Sequence, residues 1–145
     1  MNDFSSDSAS DYVLEDQIGF KLRLAHQKHA ETFALTLPDV TPTQFSLLWK
    51  LHECGSVSQN ELGRQVASDA ATVKGVIDRL KKRSFVQTHP SKTDLRRLDV
   101  SLTEEGSAFL VSAIVSARNI SKLTTRRLSK REEQQLLSLL DKLIE

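Results

Sequence analysis

Residues 69–102 read DAATVKGVIDRLKKRSFVQTHPSKTDLRRLDVSL, and the hydrophobic period changes halfway along this stretch. Over residues 69–83, Val73, Val76, Ile77 and Leu80 recur at i, i+3, i+4 and i+7, the spacing of one buried helix face. From Ser84 the period drops to two: Ser84–His89 and Leu98–Leu102 alternate as two short strands. The polar, basic segment Pro90–Arg97 between them suits a hairpin loop. A helix running straight into a basic β-hairpin is the closing half of a winged helix-turn-helix.

Outward from that stretch, helix starts are legible as caps. Thr41-Pro42-Thr43-Gln44 supplies a capping hydroxyl, a proline at the first helical position and a Gln three residues on, while Ser58–Glu61 and Ser129–Glu132 spell capping boxes. Ser68-Asp69 and Thr103-Glu104-Glu105 set a hydroxyl before acids that suit the positive helix end. The spacing predicts helices over 11–36, 42–53, 58–66, 69–83, 103–126 and 129–144. The expected fold class is therefore mainly α with a small β-hairpin, without internal repeats.

The chain has 145 residues, 39% of them apolar and 27% charged, which suits a globular protein with a core. Its longest uncharged stretch, Gly106–Ala117, is too short for a membrane span. The first residues, MNDFSSDSASD, lack the basic and apolar regions of a secretory signal. The single Cys54 excludes an internal disulfide and suits a reducing cytoplasm. No phosphate loop, nucleophile elbow, metalloprotease helix or dinucleotide fingerprint is present, so no enzyme is expected, and no cofactor.

A formal charge of +1 taken whole argues against a nucleic-acid partner, but its distribution reverses that. Residues 1–20 carry five acids and no base; residues 64–97 carry nine bases against Asp69, Asp78 and Asp94; residues 118–131 carry six bases and no acid. Phosphate attraction depends on local basic density near the duplex. On helix 69–83 the side opposite the core offers Ala70, Ala71, Thr72, Lys74 and Gly75. Small side chains there allow close approach to base edges in a major groove about 12 Å wide. Ser68 and the amides of the helix start are candidates for a phosphate.

At these residues the chain resembles the MarR family of bacterial transcriptional regulators. The matching residues are Leu62-Gly63-Arg64 through Thr72-Val73, Asp78-Arg79-Leu80, the wing Asp94-Leu95-Arg96, and Val100-Ser101-Leu102-Thr103-Glu104-Glu105-Gly106. The resemblance implies a homodimer built by the first and last two helices, with the wing arginine entering a minor groove. By position Arg96 is that arginine and Asp94 the acid that braces it. Leu95 departs from the family, where a basic residue is common, and Arg97 is placed to compensate. The implied organisation is a flexible tail over 1–10 and a single domain over 11–145, with a winged lobe at 41–102 and dimerisation helices at 11–37 and 103–145. Independently, Leu136, Leu137, Leu139, Leu140, Leu143 and Ile144 give the last helix more apolar surface than a monomer's core needs. The expected DNA contacts are Ser58, Gln59, Ser68, Ala70, Ala71, Thr72, Lys74, Gly75, Arg79, Ser91, Lys92, Asp94, Arg96 and Arg97. Two such lobes imply a pseudo-palindromic double-stranded operator with half-sites roughly 34 Å apart.

Family members commonly release DNA on binding a small, often anionic aromatic molecule. Here Leu14, Ile18, Leu22, Ala25, His29 and Phe33 form one stripe on the first helix, with His26 at its border and Arg23 at its edge. Phe45, Leu48, Trp49 and His52 share a face of the second. Apolar walls with Arg23, His26, His29, Phe45, Trp49 and His52 suit a small carboxylate, for which a guanidinium is the natural fork. The segment Ile18–Gln27 resembles the first helix of members governing aromatic and N-heteroaromatic acid breakdown, which implies a repressor released by a hydroxylated benzoate or nicotinate derivative. A zinc sensor built from His26, His29, His52 and Cys54 has only an i, i+3 pair for support. A thiol sensor at Cys54 has as little support, since a single buried Cys is usually inert and nothing in its sequence neighbourhood supplies a lowered pKa. The remaining alternative, a helical scaffold without a DNA role, does not account for Asp94, Arg96 and Arg97 on an exposed hairpin. The expected location is the bacterial cytoplasm, on the nucleoid when DNA-bound.

Overall fold

The computed structural model describes residues 11–145; the tail expected over 1–10 lies outside the described residues. The elements run α1 (Ile18–Thr36), α2 (Pro42–Cys54), β1 (Ser56–Ser58), α3 (Gln59–Gln65), α4 (Ala70–Lys82), β2 (Val86–Pro90), β3 (Leu98–Leu102), α5 (Glu104–Thr124) and α6 (Lys130–Ile144). Local hydrogen bonds explain most boundaries. Thr41 and Ser129 form complete capping boxes with Gln44 and Glu132, and Thr103 accepts from the Gly106 amide. Ser58 accepts from the Glu61 amide, but the Glu61 carboxylate turns away to Arg64 Nε at 2.9 Å, so only half of that box forms.

Three expectations are corrected. The first helix starts at Ile18, not residue 11; before it stands only a 3₁₀ turn, Leu14–Asp16, followed by an extended Gln17. Tyr12, Val13 and Leu14 remain exposed, so continued helix would gain no burial there, and burial is what stabilises most helices. The cap of α4 is Asp69 rather than Ser68: its Oδ1 accepts from the Thr72 amide at 2.8 Å. The hairpin belongs to a three-stranded antiparallel sheet in the order β1-β3-β2. β1 pairs Val57 with Val100, both buried, and is too short to display alternation in the sequence.

The core lies in the winged lobe. Leu47, Leu48 and Leu51 of α2 pack with Leu62 of α3, Val73, Ile77 and Leu80 of α4, and Val100 of β3. α1 packs along α5 through Phe33, Leu110, Ala113 and Ile120. The rest of the expected α1 stripe is different: Ile18 and Leu22 are exposed. On α6, Leu136, Leu137, Leu139, Leu143 and Ile144 are all exposed, and no residue of that helix is buried in the chain.

Candidate nucleic-acid interface

α3 and α4 are locked together at a glycine. A β-carbon on Gly63 would meet Val73 Cγ2 at 3.2 Å and the Ser68 carbonyl at 3.3 Å, so a larger residue would make one of these neighbours give way by a few tenths of an ångström. The turn between them passes through Ala67 at φ 53°, a left-handed conformation, and closes with Ser68 N–H donating to the Gly63 carbonyl. This geometry points Ala70, Ala71, Thr72, Lys74 and Arg79 outward, while Val73, Val76, Ile77 and Leu80 face the core. Gly75 differs from Gly63, since an added β-carbon would meet nothing closer than Arg79 Nη2 at 4.0 Å. Internal packing does not require a glycine there, although one in mid-helix costs about 0.5–1 kcal/mol relative to alanine.

The wing comes back to α3. Arg97 Nη2 donates to Ser58 Oγ at 3.4 Å, and Ser58, Gln59, Asn60, Arg96, Arg97 and Leu98 enclose a cleft of about 210 Å³. A neighbouring cleft of about 240 Å³ is bounded by Gln59, Asn60, Gly63, Arg64, Ser68 and Ala70. Six of the expected contacts, Ser58, Gln59, Ser68, Ala70, Arg96 and Arg97, thus line two adjoining clefts. Asn60 and Arg64 join them; neither is among the expected contacts, although Arg64 belongs to the family match, and their i, i+4 spacing after the Ser58 cap is the available signal.

Other expected contacts have different roles. Ser91 is buried at 6% exposure; its amide donates to the Arg97 carbonyl and its hydroxyl bonds Thr93, so it shapes the loop rather than facing out. Asp94 braces the loop through the backbone, accepting from the Arg96 amide at 3.0 Å, not through the Arg96 guanidinium. Thr72 donates its hydroxyl to Asp69 Oδ2 at 2.9 Å. The Thr72 amide and hydroxyl hold the Asp69 carboxyl below its ordinary pKa, so a carboxylate already occupies the helix start expected to receive a phosphate. Lys92, Arg96 and Leu95 are exposed at the loop.

The six expected effector residues lie on α1 and α2. His29 Nδ1 lies 2.9 Å from Thr124 Oγ1, whose own proton goes to the Ile120 carbonyl; the imidazole is therefore the donor, tying α1 to α5. Arg23 and His26 are exposed on α1, Arg23 lying over the Phe20 ring at 5.3 Å. Phe45 and Trp49 pack against the core, and Trp49 contacts the exposed His52 at 5.1 Å between ring centroids. Cys54 is exposed, contrary to the buried thiol expected, with Sγ donating to Gln65 Oε1 at 3.6 Å. Among the described residues no three His, Cys, Asp or Glu side chains gather to hold a metal, and no helix is long and apolar enough to cross a membrane.

A capped helix pair closed at a glycine, an exposed face of small residues and a basic hairpin together define a winged helix-turn-helix DNA-binding protein. The MarR family model matches residues 40–98. The HTH-type transcriptional repressor NicR of Pseudomonas putida is 40% identical over 136 residues, covering 92% of this chain and 86% of that protein. A probable transcriptional regulator from Pseudomonas aeruginosa matches with a TM-score of 0.89 and 45% identity over 90% of this chain and 99% of its own. Bordetella bronchiseptica BpsR, solved in a study of how 6-hydroxynicotinic acid regulates its DNA binding, matches at 0.90 and 33% identity, covering 92% and 97%. The chain belongs to the MarR family, and is a DNA-binding transcriptional regulator rather than an enzyme.

Proposed function

We propose that the protein is a homodimeric repressor that holds a pseudo-palindromic operator and lets go when a small aromatic or N-heteroaromatic carboxylate binds. The observation that carries the DNA half is the continuity between the start of α3, the small-residue face of α4 and Arg96 and Arg97 of the wing. Arg96 reads the minor groove and Ala70, Ala71, Thr72, Lys74 and Gly75 lie against base edges, with Ser58, Gln59, Arg79, Lys92 and Arg97 holding phosphates. The exposed leucines of α6 and the exposed Ile18 and Leu22 of α1 supply the apolar surface of a dimer. Repression and the acid rest on NicR's designation as a repressor and on the link between BpsR and 6-hydroxynicotinic acid. Arg23 and His26 are exposed to receive the carboxylate, whereas His29 contributes through its bond to Thr124. Such a protein works in the cytoplasm, on the nucleoid.

Footprinting the region upstream of its own gene tests the reading. We expect protection of an inverted repeat, relieved by 6-hydroxynicotinate or a hydroxybenzoate, and retention of that protection by Arg23→Ala in the presence of the acid. Binding with no sequence preference would overturn the operator. Protection unaffected by every acid tried would overturn the effector.

A further inference from the structure

Of the six residues that bound the cleft at the α3–α4 turn, Arg64 alone is charged. Its Nε and Nη2 both donate to Glu61 Oε2, at 2.9 and 2.5 Å, and Gln65 Nε2 donates to the other carboxylate oxygen at 3.3 Å. Glu61 is thereby held on both oxygens, and Arg64 along one edge of its guanidinium. The other edge, Nη1 with the second N–H of Nη2, donates to no group among the described residues. The Arg64 side chain is 66% exposed, so that edge is accessible to a partner.

Glu61 gives up a local role to make this contact. In a complete capping box it would accept from the Ser58 amide, but its carboxylate is turned to Arg64 instead. The bonds from Arg64 and then Gln65 hold the Glu61 carboxyl below its usual range, with a smaller contribution from the charge of Arg97 on the wing. An ionised acid on a face that meets phosphates is unfavourable by charge alone. Geometry supplies the compensation: a carboxylate on one edge of a guanidinium fixes its plane, so less ordering is left to pay when the opposite edge takes an anion. The anion at hand is set by the fold, since the first helix of a helix-turn-helix crosses the nucleic-acid backbone while the second enters the major groove. Here that first helix is α3, which carries both residues.

We propose that Arg64 binds a backbone phosphate of the operator through its free Nη1–Nη2 edge, and that Glu61 is the positioning residue that presents this edge. Both roles rest on the DNA-binding reading. The test is anisotropy of the full chain on the footprinted operator over a salt series, with urea midpoints taken for every variant. Arg64→Ala should weaken binding about tenfold and lower the salt slope by about 1 for each chain bound. Glu61→Ala separates the two explanations by sign: loss of an acid from a DNA-facing surface strengthens binding if charge alone matters, whereas loss of the positioning residue weakens it. We expect a severalfold weakening, most of it recovered in Glu61→Gln, which keeps an oxygen for Arg64 Nε without the charge. In an Arg64→Ala background, Glu61→Ala should cause no further loss. Arg64→Lys keeps the charge without the fork, so it should retain the salt slope and lose affinity, which keeps the test decisive should an alanine variant fail to fold. Wild-type affinity in Arg64→Ala overturns the phosphate contact. Equal or tighter binding by Glu61→Ala, full affinity in Arg64→Lys, or an undiminished Glu61→Ala loss in the Arg64→Ala background overturns the positioning role. Failure of the wild type to prefer its operator over unrelated duplex is the separate outcome that overturns the DNA-binding reading, and this proposal with it.

Discussion

The carbonyl oxygen of Phe85 sits where residue 106 would carry a side chain: a β-carbon built on Gly106 would lie 2.0 Å from it. That oxygen accepts from the Thr103 amide at 3.1 Å, while the Thr103 hydroxyl donates to the Ser84 carbonyl. The start of α5 is thus pressed against the root of the wing, and the glycine ending the Val100–Gly106 motif is explained by contact. Gly106→Ala should destabilise the fold by about 3 kcal/mol or more, because relief means breaking the Thr103 bond or shifting α5. Urea denaturation checks this; a loss below about 1 kcal/mol would show that the backbone yields easily.

Asp69 makes the start of α4 sensitive to acid. Its carboxyl is held below the ordinary 3.8 by the amide and then the hydroxyl of Thr72. A carboxyl depressed in the folded state adds stability that is fully present above its unfolded pKa and disappears as pH falls through the folded one. Wild type should therefore lose stability relative to Asp69→Asn, which keeps an oxygen acceptor but does not titrate, as pH falls below that ordinary value. Denaturation midpoints of both proteins across acidic pH read the difference; parallel curves would remove Asp69 as the titrating group.

Arg96 and Arg97 should separate by mechanism. Arg96 is exposed, and Arg96→Ala is expected to cost about 1–3 kcal/mol of operator affinity while leaving association of the chain unchanged. Arg97 bonds Ser58, so Arg97→Ala should also loosen the wing from α3. Its loss will exceed that of one phosphate contact, which lowers the salt slope by about 1. Anisotropy over a salt series measures both. An operator indifferent to Arg96→Ala would remove the wing from the interface.

Leu136 and Leu139, 40% and 58% exposed on α6, belong to the surface proposed for the dimer. The double change to Glu should convert a dimer to monomers and reduce affinity for the full operator far more than for a half-site. Sedimentation velocity settles the first point; a variant that stays dimeric would assign the interface to other residues.

Features that depend on neighbours a few residues away are written in the chain locally. Caps at Thr41, Ser58, Thr103 and Ser129 are bonds from a side chain to an amide three residues on, and the Val73–Leu80 face is a period within one helix, so both are written in short windows. The DNA-binding lobe was legible for the same reason, as a local run of bases on a hairpin. Features that depend on distant partners come from packing. β1 exists because Val57 meets Val100; His29 is a donor because Thr124 lies beside it, 95 residues on. Ser91 is an inward residue because the loop closes over it onto Arg97, and Gly106 is needed because Phe85 arrives there. A partner far along the chain is selected by packing, which no short window of sequence contains.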